Sequence, residues 1–190
     1  MLVIRGWERP LYFAPHHQRD DPPEKLPKPS FGRPEFFEYI EDEYLVCREA
    51  VGLIDMSSFS KFLIKGEEAI PYMQKLCCNN VDVPKGYVTS SMMLNESGTY
   101  ENDCLVMKRN EKSLMMVCPT QQQTRIMEWM ENHLEGFKSV SLQDVTSMYT
   151  ILTLVSEMWF SRFLEMFLLL IISGRSQGQR SHDRNVRDRN

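Results

Sequence analysis

The feature that most limits the fold of this chain is a cluster of prolines near its start. Residues 10–34 hold seven of the ten prolines. Each proline fixes its own φ angle and lacks an N–H donor, so neither a helix interior nor a central strand forms there. We therefore predict that residues 1–35 are a proline-rich connector and that regular structure follows it. The aromatic residues Trp7, Tyr12 and Phe13 are expected to pack against that larger part.

The distribution of charge divides the chain into an acidic body and a basic tail. A net charge of −4 over 190 residues suits one globular domain and gives no general attraction to nucleic acid. Residues 173–190 carry five Arg against two Asp and one large apolar side chain. We predict that residues 156–190 are a separate basic tail, disordered from residue 173. The apolar run 166–172 is far shorter than the roughly 20 residues that a membrane span needs, so no span is predicted.

The cysteines and histidines show no pattern typical of a metal site. No C-x-x-C pair occurs, and no cysteine lies near a histidine at zinc-ligand spacing. Apolar residues surround the cysteines, which indicates buried free thiols in a reducing compartment. The chain also lacks the Gly-x-Gly-x-x-Gly fingerprint of a dinucleotide site, and no targeting address is recognisable in it.

The spacing of apolar residues predicts a mixture of helices and strands after the connector. Helical periodicity covers residues 41–52, 67–78 and 121–134. Period-two alternation covers residues 60–65, 86–94, 99–107, 113–118, 138–145 and 148–155. Gly98 is expected to supply the positive φ of a hairpin turn between the second and third of these strands. Because helices and strands do not alternate strictly and a hairpin is present, we predict the α+β class.

Several side chains have an expected place within these elements. The first helix is expected to direct one face inward, with Tyr44, Leu45, Ala50 and Val51. The second is expected to bury Ile70, Met73, Leu76 and Cys77. Thr120 is expected to cap the third helix, and Gly136 to end it. In the first strand of the body, Lys61 and Lys65 alternate with Phe62 and Ile64.

Five segments in a consistent order resemble one known family. They are residues 6–10, 48–62, 93–104, 117–120 and 142–146. Together they resemble the folate-binding, glycine cleavage T-protein-like module of the dimethylglycine and sarcosine dehydrogenase family. The resemblance implies that residues 36–155 are part of an aminomethyltransferase-like domain with a largely antiparallel sheet and packed helices. It also implies that the chain is a truncated piece, because the family carries a flavin domain, with its FAD, before this module.

Within the family, the residues at 54–59 and 100–104 are most similar to the regulatory subunits of pyruvate dehydrogenase phosphatase. This similarity implies a non-catalytic subunit in the mitochondrial matrix that contacts the catalytic subunit of that phosphatase. An alternative stays open, in which the chain is a piece of a flavin- and folate-dependent demethylating dehydrogenase. Whether the parent protein is an enzyme is therefore undecided, with the regulatory interpretation favoured.

The resemblance also implies a tetrahydrofolate site. Asp103 matches the T-protein aspartate that contacts the folate amine, and Asn102 stands where that pattern has a preceding aspartate. A carboxylate beside an amine can orient it, take up its proton and stabilise positive charge. Asp103 alternates in step with Leu105 and Met107 and so shares their sheet face; the alternative is a solvated aspartate at a strand edge.

Three further residues are candidates to line the folate pocket. Met56 and Phe59 fall in the segment that lies near the pterin in the family, and core packing competes for both. Tyr100 is a candidate to stack on a flat ring, with cross-strand packing as the alternative. Nearby Asp55 is expected to act as a turn acceptor.

Overall fold

A computed structural model describes residues 2–4, 6–13, 31–155 and 168–173. The helices are α1 (Phe37–Glu49), α2 (Ala69–Leu76) and α3 (Gln123–Asn132). The strands are β1 (Leu2–Ile4), β2 (Trp7–Arg9), β3 (Gly52–Asp55), β4 (Ser60–Lys65), β5 (Val88–Leu94), β6 (Tyr100–Asn110), β7 (Ser113–Cys118), β8 (Ser141–Asp144), β9 (Tyr149–Val155) and β10 (Leu168–Ser173).

The body is built on an antiparallel sheet of five strands in the order β5-β6-β7-β4-β8, called the large sheet below. Helices α2 and α3 contribute to the apolar core on one face of it. Fully buried members include Phe62, Leu114, Met116 and Met130. The Tyr72 hydroxyl donates to the Met130 carbonyl oxygen at 2.6 Å, which joins the two helices. This side of the large sheet is called the core face.

A smaller antiparallel sheet has the order β10-β9-β3. The turn that follows β3 is tied to the small sheet, because the Met56 amide donates to the Ile151 carbonyl oxygen of β9 at 2.9 Å. Strand β10 was not predicted from the sequence. Disorder was predicted from residue 173, but Ser173 ends β10. Residues 174–190 lie outside the described residues, so for them the disorder stays a prediction.

Helix α1 forms where helical spacing indicated, but its predicted inward face is wrong. Within the described part of the chain no residue of α1 is buried, and Tyr44 and Leu45 are 58% and 43% exposed. The helix approaches the small sheet at its end, where a Cβ on Gly52 would lie 2.3 Å from the Cys47 sulfur. Periodicity therefore identified the helix without identifying what its apolar residues contact.

The N-terminal segment packs on the body as predicted for two of its three aromatic residues. Strands β1 and β2 form a hairpin, so the prediction that regular structure begins only after residue 35 is wrong for the residues before the proline cluster. Trp7 of this hairpin is half-buried. The Tyr12 ring stacks on Phe36 at 4.9 Å and on Tyr39 at 5.6 Å between centroids. Phe13, in contrast, remains 66% exposed.

The α+β class is confirmed, and the remaining predicted elements form with boundaries shifted by a few residues. Gly98 has φ +72° in the hairpin turn, as predicted. The predicted cap at Thr120 is wrong, because its hydroxyl donates to the Ser58 carbonyl oxygen at 2.6 Å and the residue begins a short 3-10 turn. The threonine ties the start of α3 to the segment before β4 instead.

All five cysteines lie in the described part of the chain and are free thiols. Burial is confirmed for Cys77, Cys104 and Cys118, whereas Cys47 is half-buried and Cys78 is exposed. Among the residues that the structure describes, no cluster of His, Cys, Asp or Glu could hold a metal ion. No described helix is long and apolar enough to cross a membrane.

Candidate functional site

The strand register brings Asp103 and Phe59 to the same end of one sheet face. Lys61 of β4 and Leu105 of β6 are both cross-strand partners of Val117 in β7, so these three residues share a face. Both outer strands run antiparallel to β7 and therefore parallel to each other. Phe59 comes two residues before Lys61, and Asp103 comes two residues before Leu105. Both therefore lie toward the same end of the sheet. This side of the large sheet, opposite the core face, is called the site face.

Asp103 is an exposed carboxylate with one bonded oxygen. The Tyr100 hydroxyl donates to its Oδ1 at 2.6 Å, and the Gln122 amide nitrogen donates to the same hydroxyl at 3.5 Å. As predicted, Asp103 shares a face with Leu105 and Met107, which are only half-buried. Burial therefore imposes little desolvation cost on the carboxylate. Among the described residues its Oδ2 has no partner and remains open to an amine donor.

The turn between β3 and β4 presents Met56 and Phe59, and both side chains are half-buried. The Phe59 amide donates to the Met56 carbonyl oxygen at 3.0 Å. The Ser57 amide donates to Asp55 Oδ1 at 2.8 Å, so the prediction that Asp55 is a turn acceptor is confirmed. The Ile151 amide donates to the Ser57 hydroxyl at 3.2 Å and attaches the turn to β9.

Sequence reasoning missed Lys61, whose side chain is fully buried. Its ammonium donates to the Ser57 carbonyl oxygen at 2.7 Å and to the Phe59 carbonyl oxygen at 3.0 Å, and it lies 5.8 Å from the Trp7 ring centroid. Burial lowers the pKa of Lys61 to about 8, although Asp144 and Asp55 oppose the shift. Lys65 is exposed on the same strand, so alternation alone did not distinguish the two lysines.

Asn102, beside Asp103, points to the core face and is fully buried opposite Met93. Neither polar atom of its amide has a hydrogen-bond partner among the described residues. The Ser58 and Ser60 hydroxyls and the Gln122 carbonyl oxygen are likewise unpaired. Asn102 stands where the T-protein pattern has an aspartate. It places a neutral amide in the core, where a carboxylate would be a buried charge.

Two buried thiols of the core, Cys104 and Cys118, are unsuited to nucleophilic attack, whereas a hydrogen bond with Cys104 lowers the pKa of Cys77. Burial raises the pKa of Cys118 to about 12. A hydrogen bond with Cys77, and burial, raise the pKa of the Cys104 thiol well above its usual value. Because the thiolate is the reactive form, both remain inert at neutral pH.

A shallow depression of about 290 Å³ lies against α3. Its lining includes Gln123, Met127 and Asp144, but none of the four predicted folate residues. The proposed folate role of those four residues stays a prediction; the structure shows Asp103 with one open carboxylate oxygen and bonded to Tyr100 through the other. Tyr100 is 48% exposed, which leaves its ring accessible for stacking.

The fold places the chain in a class of protein. A crystal structure of glycine cleavage system aminomethyltransferase T from Bartonella henselae superposes with a TM-score of 0.56 at 20% identity, over 61% of this chain and 32% of that one. The matched residues therefore share the fold of part of that structure. The family description "GCVT N-terminal domain" matches residues 1–155, and the chain belongs to this family.

Relatives with curated names divide into three kinds. The mitochondrial pyruvate dehydrogenase phosphatase regulatory subunit of Mus musculus is 41% identical over 152 residues, 79% of this chain and 17% of that protein. An aminomethyltransferase of Thermotoga sp. (strain RQ2) is 28% identical over 72% of this chain and 31% of its own length. Mitochondrial dimethylglycine dehydrogenase of Rattus norvegicus is 28% identical over 74% of this chain and 16% of its own length. The chain thus spans at most about a third of these relatives.

Proposed function

We propose that this chain is part of a regulatory subunit of mitochondrial pyruvate dehydrogenase phosphatase and is itself non-catalytic. The observation that carries the proposal is the 41% identity to such a subunit, against 28% to a dimethylglycine dehydrogenase, over similar shares of the chain. By the same similarity, its partner is the catalytic subunit of the phosphatase and its location is the mitochondrial matrix.

The module also retains a site for reduced folate on the site face. Asp103 would accept a hydrogen bond from a folate amine through its open oxygen, while Tyr100 holds the other oxygen at 2.6 Å. Met56, Phe59 and the ring of Tyr100 would contact the flat pterin. Tetrahydrofolate, when bound, supplies the amine that accepts a one-carbon group in the aminomethyltransferase reaction.

Binding without transfer is the favoured activity because of the greater similarity to a regulatory subunit. Asp103 is the one carboxylate among the four predicted folate residues, whereas Asn102 lies on the core face and does not reach the site. A single carboxylate can hold an amine through a hydrogen bond.

Calorimetric titration with tetrahydrofolate tests the folate site in the 190-residue chain. Asp103→Asn keeps the shape of the side chain and removes its charge. A lost charged hydrogen bond is worth roughly 1.5–3 kcal/mol, so affinity should fall about 10- to 150-fold. Glu96→Gln, an exposed charge in the same hairpin, is the matched control and should bind as the wild type does. Equal affinity in all three proteins would show that Asp103 does not bind the folate amine and has a structural role.

Binding to the purified catalytic subunit of pyruvate dehydrogenase phosphatase tests the regulatory proposal separately. We expect the chain to form a complex with it, with the Thermotoga aminomethyltransferase as the control that shares the fold. No complex would favour the dehydrogenase alternative, in which the phosphatase is not a partner. A complex without folate binding would mean that the module keeps the fold and the partner but not the ligand.

A further inference from the structure

We infer that Lys61 is a positioning residue, whose buried ammonium holds the turn carrying Met56 and Phe59 in its conformation at the end of the large sheet where Asp103 also lies. This inference rests on the proposed folate site for its consequence. The contacts that carry it are independent of any ligand.

The ammonium of Lys61 makes two hydrogen bonds to the turn and one ring contact. It donates to the carbonyl oxygens of Ser57 and Phe59, at 2.7 and 3.0 Å. The ammonium nitrogen also lies 5.8 Å from the Trp7 ring centroid, within the range of a cation–π interaction. The cation thus binds both ends of the turn 57–59.

The main chain of Lys61 is also held by hydrogen bonds, so the backbone that carries its side chain is fixed in place. Its amide donates to the Thr146 hydroxyl at 3.0 Å, and its carbonyl oxygen accepts from the Val145 amide at 2.8 Å. The residue lies in β4 between β7 and β8. A displacement of the turn therefore requires the ammonium bonds to break.

The N-terminal hairpin, formed by β1 and β2, contacts both Lys61 and the turn. Trp7 covers the ammonium, and the Arg9 guanidinium donates to the Asp55 carbonyl oxygen at 3.5 Å and contacts the Met56 sulfur at 3.7 Å. Lys61 thus links the hairpin to the turn. In the described structure no carboxylate forms an ion pair with it, so its partners are two carbonyls and an indole.

The energetic cost of burying the Lys61 ammonium distinguishes a positioning role from a stabilising role. Burial lowers the pKa of Lys61 to about 8, so at pH 7 the fold holds the charged form at a disadvantage. Replacing a residue whose main role is to stabilise the fold should lower the thermal midpoint, whereas removing a disfavoured buried charge should not. Lys61→Met keeps the length of the stem and removes the charge, and we therefore expect its thermal midpoint at pH 7 not to fall.

The test compares wild type, Lys61→Met and the control Lys65→Met, an exposed lysine of the same strand. Two quantities are measured on the 190-residue chain: the exchange rate of the Phe59 amide, which bonds the Met56 carbonyl oxygen, and the affinity for tetrahydrofolate. In Lys61→Met we expect at least tenfold faster exchange and about tenfold weaker binding, since a loose turn must be ordered by the ligand. Lys65→Met should match the wild type in both.

The outcomes separate this inference from the folate proposal. If the wild type binds folate and Lys61→Met binds equally well, Lys61 is not a positioning residue. If the wild type does not bind, the folate proposal fails, and the exchange rate alone decides the role of Lys61. Unchanged exchange at Phe59 in Lys61→Met would overturn the inference. A fallen thermal midpoint with unchanged exchange would show a general structural role instead.

Discussion

The two faces of the large sheet differ in the extent of their apolar packing. The core face buries Phe62, Leu114 and Met116 completely within the main core, whereas the buried cluster on the site face consists of Leu63, Met115 and Val145. Buried polar groups are bonded on both faces, as Lys108 on the core face and Lys61 on the site face show, but the amide of Asn102 on the core face has no partner among the described residues. Mutations should therefore distinguish the faces by the apolar surface that they remove and by this unpaired amide.

The largest effect is expected from a cavity on the core face. Phe62→Ala should lower the free energy of unfolding by about 3–5 kcal/mol, because it removes a fully buried ring from the main core. Leu63→Ala, its neighbour on the site face, should cost about 2 kcal/mol, since that cluster has only Met115 and Val145 as other buried members. Urea denaturation measures both. Equal losses would show that the two faces pack alike.

A smaller effect is expected from titration of Lys61. Its pKa is lowered from 10.5 to about 8 in the folded state, so between these values the unfolded chain binds more protons and stability rises with pH. Raising the pH from 7 to 9.5 should therefore stabilise the wild type by about 2 kcal/mol relative to Lys61→Met. The comparison with the mutant is needed because the raised pKa of Cys118 acts in the opposite direction above pH 9. Parallel pH curves would exclude a costly buried ammonium.

The smallest effect should come from Asn102→Leu. An unpaired buried amide costs about 1–3 kcal/mol, so replacing it with an apolar side chain of similar size should raise the free energy of unfolding by about 1 kcal/mol. The same change at Asn95 should have the opposite sign, because Asn95 bonds Ser97, Thr99 and Glu101 in the hairpin turn. A loss of stability in Asn102→Leu would indicate ordered water on the core face.

Sequence patterns predicted which residues of the body form helices and strands better than they predicted which residues those elements contact. Alternation found β4 through β9, because it depends only on which side of a strand faces apolar neighbours. It did not indicate that Lys61 is covered, since that depends on Trp7 and on Thr146, far away in sequence. The Thr120 cap was wrong for the same reason. Its hydroxyl has a tertiary acceptor, the Ser58 carbonyl oxygen, that competes with the helix amides.

The candidate site was foreseen in part. The resemblance selected Asp103 and Tyr100, and the structure joins their side chains at 2.6 Å. Whether they bind folate stays a prediction. The predicted apolar face of α1 failed because helical periodicity detects an amphipathic pattern but does not supply the partner that would bury it.

The pairing of β3 with β9 has a consequence for how the chain folds. These strands are roughly 100 residues apart in sequence, whereas β5, β6 and β7 form a local meander. Closing a long loop costs entropy before its contacts form, so topology with distant pairings slows folding. The meander should therefore form early and the small sheet late. Mutations in β9, such as Ile151→Val, should then mainly accelerate unfolding, as stopped-flow kinetics would measure.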